Sequence, residues 1–148
     1  MAIWWVNLGL QFAAQRDSST LWCPGKRIRK DGSLGKPFWH WANIADVKKG
    51  EFIVLCKSAQ ILGLAYSTAT ARPDQPKPNG FPVGGRWHDT GWRLPVEFLL
   101  FDTPKDRNEL TRGLFQRRNK RRPLLNDPKT GKGRGTQIYR KREFRCAF

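Results

Sequence analysis

Apolar and polar positions along this chain fall into short blocks, and the blocks predict mostly strands. Residues Ile3 to Val6 are β-branched and aromatic and predict a buried strand, which Asn7-Leu8-Gly9 ends. The polar stretch 11–19 predicts a short helix or loop. Leu21-Trp22-Cys23 is a further apolar segment, stopped by Pro24-Gly25. A basic, glycine-containing loop follows over 26–36, then Phe38-Trp39-His40-Trp41, then one helical turn over 43–47 before Lys49-Gly50. Residues 51–56 and 61–65 predict a hairpin connected through 57–60, without an Asn-Gly turn signature. Both arms are almost wholly apolar, which predicts strands buried on two faces or set in a barrel wall. Residues 71–85 are rich in proline and glycine and predict a long loop. Strand character resumes over 92–101, with Val96, Phe98 and Leu100 on one side and Pro95 marking an edge or bulge. A helix over 106–116, with Leu110 and Leu114 four apart, and a last strand over 138–144 complete the pattern. About five or six short strands with few helices predict an α+β fold, a small β-barrel with short peripheral helices.

The chain has 148 residues, which fits one domain over 1–148. Its charge narrows the picture. Lys and Arg number 28 against 12 Asp and Glu, a net of +16, with a pI near 10.6. Residues 103–148 alone hold 15 basic and 4 acidic side chains, so this C-terminal segment is strongly basic. A compact fold carrying that excess repels itself, and a polyanion relieves the repulsion; nucleic acid is the expected partner. Cys23, Cys56 and Cys146 are too few and too scattered for a disulfide framework, and with only His40 and His88 they make no zinc pattern. Reduced thiols predict a cytoplasmic protein. No apolar run reaches the length of a membrane span, and the N-terminus lacks the features of a signal peptide. Nothing calls for a metal or cofactor, and the expected state is a monomer. Deaminase, nuclease, phosphate-loop and serine-hydrolase motifs are all missing, so a non-catalytic module is expected.

Seven tryptophans stand out, and their placement divides them. Trp4, Trp5, Trp39 and Trp41 read as core or wall packing; Trp39 and Trp41 share a face if the segment is extended. Trp22, Trp87 and Trp92 sit at the ends of strands beside glycine and basic loops, where flat rings can line a pocket for a base. The competing reading is a second hydrophobic minicore. Asn7, Ser58 and Gln137 are candidate polar readers of a base edge, with Leu8, Cys23 and Asp89 beside the same pocket. For Asn7 and Asp89 plain turn chemistry is the alternative. Lys26, Arg27, Arg29 and Lys30 form one candidate phosphate-binding group. Arg117, Arg118, Lys120, Arg121 and Arg122 form another, with Gln137 also counted near the phosphates.

The stretch 85–98, GRWHDTGWRLPVEF, resembles the segment of YTH-type and related PUA-like domains in which two tryptophans five apart introduce a strand. Leu21-Trp22-Cys23 is similar to the segment carrying their third cage aromatic. The run from Phe38 to Ala65 resembles a pattern shared by EVE and YTH domains, and the two ends, Trp5-Val6-Asn7-Leu8-Gly9 and 133–139, are similar to EVE-like modules at the front of modification-dependent restriction enzymes. The resemblance covers nearly the whole chain. It departs at Glu51, where Asp is usual after the glycine, and at Leu8, where a polar residue is common.

The resemblance implies a PUA-like barrel that captures a flipped modified base in an aromatic cage built on Trp22, Trp87 and Trp92. It favours 5-methyl- or 5-hydroxymethylcytosine in DNA, with N6-methyladenine as the other base, in a restriction or phage-defence setting. Two alternatives stay open: an RNA-binding domain reading methylated adenine, and the recognition part of a larger nuclease, fused or associated.

Overall fold

A computed structural model of the protein describes residues 3–9, 11–81, 87–109 and 142–145, the last four by backbone alone. The architecture is mostly strands with a few short helices: β1 Ile3–Asn7, α1 Phe12–Asp17, β2 Thr20–Pro24, β3 Arg27–Ile28, β4 Leu34–Gly35, α2 Trp39–Ala42, a 3-10 turn over Asn43–Asp46, β5 Phe52–Lys57, β6 Gln60–Ser67, β7 Arg72–Pro76, β8 Thr90–Asp106 and β9 Arg142–Arg145. The main sheet runs β2-β8-β6-β5-β1-β9, with β7 also on β8, and five of its strands curl into a half-barrel. β3 and β4 form a separate small hairpin.

β8 is the strand that turns the corner. Its first half pairs with β2 on one side and β7 on the other, and its second half pairs with β6. The exchange falls at Pro95–Val96, where Pro95 has no N–H to give a ladder and Val96 donates instead to the Ser19 carbonyl (3.0 Å). The predicted bulge position is thus the point where the strand passes from one partner to the next.

The core lies on one face of the curled sheet. Trp4 and Val6 of β1, Leu21 and Cys23 of β2, Ile53 and Leu55 of β5, Ala65 of β6, and Leu94 and Val96 of β8 meet Trp41, Ile44 and Val47 beneath them. β5 and β6 alternate buried and half-exposed positions, so they are covered on one side only; Phe52, Tyr66 and Leu99 leave an apolar outer face. Of the two expectations for these strands, burial on both faces is not met and a place in the wall of the half-barrel is.

Two further corrections concern local structure. The proline-rich stretch contains β7, which keeps its place on β8 despite Pro73 because the register shifts between Arg72 and Gln75. Trp39 and Trp41 lie in a helical turn, not an extended segment. Helical residues two positions apart are separated by about 200°, so the rings point to opposite sides: Trp41 is 6% exposed and Trp39 66%. Of the predicted 106–116 helix only the start is described, where the Asp106 carboxylate accepts hydrogen bonds from the Asn108 and Glu109 amides (2.8 and 2.9 Å) as an N-cap does.

Candidate nucleic-acid interface

The β2–β8 ladder brings together Trp22, Cys23 and Trp92 of the candidate pocket. Cys23 pairs with Trp92, Trp22 with Arg93 and Pro24 with Gly91. Strand pairing demands a glycine at 91: an added Cβ would lie 2.1 Å from the Cys23 carbonyl oxygen and 2.8 Å from Cζ2 of Trp22. The Trp22 indole therefore lies against bare backbone. Its amide donates to Oε1 of buried Gln15 (3.0 Å), and its Nε1–H donates to the Gln75 carbonyl (3.2 Å). Those two bonds fix the ring, which has no exposed surface.

Phe81, from the loop after β7, covers it. The Phe81 and Trp22 rings meet at 5.3 Å and 71°, and Phe81 reaches Trp87 at 6.4 Å and 59°. Trp87 and Trp92 are half-buried against the main core. Trp22, Phe81 and Trp87 thus form one aromatic nest, filled by a residue of the chain itself. Asp89, on the turn between Trp87 and Trp92, is exposed and pairs with the mostly buried Lys77 ammonium at 3.1 Å. The same turn is held by the His88 ring, whose Nδ1 accepts from the Thr90 amide (3.3 Å). A cleft of about 440 Å³ opens beside α1, lined by Lys77, Pro78, Asn79 and Arg93 among others, and by none of the tryptophans.

The remaining sequence candidates spread out. Leu8 and Cys23 belong to the core and are buried. Asn7 ends β1 half-buried, and its Oδ1 accepts from Nε1 of Trp5 (3.3 Å), which leaves the amide's NH2 end for any further contact. Ser58 lies at the tip of the β5–β6 hairpin beside Asp106 and Arg107, at the other end of β8 from Trp92, so it is not gathered with the tryptophans. Arg117, Arg118, Lys120, Arg121, Arg122 and Gln137 lie outside the described residues.

The first basic group is well placed. Arg27 opens β3, and its backbone bridges to Trp87, which ties the basic hairpin to the nest. Its guanidinium stands 5.2 Å over the Phe38 ring. Lys26, Arg29, Lys30 and Lys36 are exposed around it. The one acid of the hairpin, Asp31, turns back on its own loop: its carboxylate accepts from the Ser33 hydroxyl (2.6 Å) and amide (2.9 Å). Those bonds hold the Asp31 carboxyl below the usual aspartate value.

Sequence reasoning missed Phe81 and Trp39. A single aromatic inside a Gly/Pro-rich loop, Asn79-Gly80-Phe81-Pro82, was the available sign for the first. For the second, the four-residue segment carried no local sign of a helical turn. Among the described residues no group of three His, Cys, Asp or Glu side chains converges as metal ligands would, and no helix is long and apolar enough to cross a membrane. The chain matches no protein-family model and no curated protein.

Proposed function

We propose that this chain is a non-catalytic, PUA-like nucleic-acid-binding module that holds an extruded, modified base at the Trp22–Phe81–Trp87 nest. The observation that carries the reading is the backbone bridge between Arg27 and Trp87, which joins an aromatic nest to a cluster of cations that form no ion pair among the described residues. An extruded nucleotide needs both: a flat apolar surface for the ring and positive charge for its phosphates. Phe81 has the size of a pyrimidine ring and, edge to face with Trp22, fills the space a base would need in order to reach that ring. A base enters by displacing it, exchanging one aromatic contact for another. Asp89, on the turn between Trp87 and Trp92, is the polar group offered to the base edge, while Asn7 lies at the Ser58 end of the sheet.

Modified cytosine in DNA is the favoured ligand, with N6-methyladenine the other. The added methyl gains only about 0.8 kcal/mol by burial, so selectivity also requires a hydrogen bond or a displaced water. Restriction or phage defence, alone or with an associated nuclease, is the setting in which such a reader serves.

The test is Trp87→Ala, compared with the parent on modified and plain duplexes. The expected variant loses the preference for the modified duplex and keeps its salt-dependent background binding. Discrimination that survives the substitution removes Trp87 from the pocket. Stronger competition by single-stranded RNA than by duplex DNA would move the same pocket to RNA.

A further inference from the structure

We propose that the exposed aromatic turn Phe38-Trp39-His40 and the β3–β4 hairpin form a second binding surface, which stacks an unpaired base of the nucleic-acid strand. The proposal rests on the nucleic-acid part of the preceding reading but not on the modified-base pocket.

The surface is aromatic, open and rigid. Trp39 is 66% exposed and Phe38 41%. Phe38 and His40 lie parallel, 5.3 Å apart and 6° from coplanar, and Trp39 stands at 89° to His40 at 5.4 Å. Beneath them Trp41 is buried in the core and packs on Phe38 at 4.8 Å. The Phe38 carbonyl accepts from the Trp41 and Ala42 amides (2.9 and 3.1 Å), which closes the turn. The large exposed rings are thus set on a buried root, and little order remains to be gained on binding.

Charge selects the partner. Arg27 of β3 and Arg29, just past its end, both pack over Gly35, where an added Cβ would meet their Nε atoms at 3.2 and 3.0 Å. Two guanidinium groups over one glycine repel each other, and an anion between or beside them removes the penalty. The ion pairs Arg16–Asp17 and Lys77–Asp89 lie elsewhere, and Asp31 is turned to Ser33. An apolar protein partner would use the rings and leave the cations without purpose. A strand of nucleic acid uses both, its bases on the rings and its phosphates on Lys26, Arg29, Lys30 and Lys36.

Position gives the surface its task. Arg27 touches Phe38 through its guanidinium and Trp87 through its backbone, so the turn adjoins the nest. Extruding one base strips its neighbours, and the partner left opposite, of a stacking face. Trp39 offers a replacement face next to the site of extrusion.

The experiment uses the full chain and two fluorescent probes: an unmodified oligothymidylate, and a duplex with one unpaired thymine. Trp39→Ala should weaken both about tenfold, as loss of one stacked base does. Trp39→Phe should recover most of the loss. The slope of affinity against salt should stay unchanged in both variants and fall in Lys30→Ala/Lys36→Ala. Thermal unfolding should match the parent, since Trp39 is exposed. Binding by Trp39→Ala within twofold of the parent overturns the proposal and leaves the rings to a protein partner. Failure of the modified-base reading shows differently, as equal binding of modified and plain duplexes by the parent itself.

Discussion

Phe81 covers Trp22 edge to face at 5.3 Å, so the one fully buried tryptophan of the nest is shielded by a loop residue on one side and by the β7 and β8 backbone at Gln75 and Gly91 on others. Phe81→Ala should therefore expose Trp22 without breaking the β2–β8 ladder. The expected result is greater quenching of tryptophan emission by acrylamide and tighter binding of an extruded base, by about three- to tenfold, since an aromatic contact of about 0.5–1.5 kcal/mol no longer has to be broken. Weaker binding would mean that Phe81 is itself part of the ligand surface.

Glu51 is buried, and its Oε2 accepts both the Trp4 indole N–H (2.6 Å) and the Lys48 amide (3.0 Å). Glu51→Leu removes the acceptor of the buried Trp4 indole N–H and of the part-buried Lys48 amide and should cost about 1–3 kcal/mol, read as a lower denaturation midpoint at unchanged slope. Glu51→Gln keeps an acceptor oxygen and should cost less than half as much. The longer side chain at this position thus has a structural task, binding the first strand to the turn before β5.

The β5–β6 turn places Ser58 and Ala59 at positive φ, +49° and +62°. A two-residue turn of that form matches the strand twist but suits Asn-Gly, and alanine there is strained. Ala59→Gly should stabilise the fold by about 1 kcal/mol in equilibrium unfolding and leave base discrimination untouched, since this turn lies at the far end of β8 from the tryptophans.

The Asp31 carboxyl is held low by Ser33, so its folded value lies below its unfolded one. The small stabilisation it gives the hairpin is present above the unfolded value and disappears as pH falls through the folded one. Carbon-detected titration of Asp31 should show a midpoint below that of an unstructured peptide, and Ser33→Ala should raise it.

Much of the fold was legible because strand signals here are local. The blocks at 3–6, 21–23, 51–56, 61–65 and 92–101 each became a strand, since β-branched and aromatic runs bounded by turn residues have few other outcomes. What escaped depended on tertiary context. Nothing local says that Phe81 packs on Trp22, fifty-nine positions earlier in the chain. The period of a four-residue segment is ambiguous, so Trp39 and Trp41 could be assigned one face or two, and the helical turn decided it. Trp22 and Trp92 meet on one ladder and Trp87 reaches them through the bridge to Arg27, whereas Ser58 sits at the hairpin tip at the far end of β8.

The central claim is that the nest at Trp87 takes a modified base. Fluorescence anisotropy at 150 mM salt, on matched duplexes carrying one cytosine, 5-methylcytosine, 5-hydroxymethylcytosine or N6-methyladenine, tests it most directly. A preference of about tenfold for one modified duplex, about 1.4 kcal/mol, is the predicted result and names the base. Equal binding of all four, falling steeply with salt, would contradict the account and leave charge alone as the source of binding.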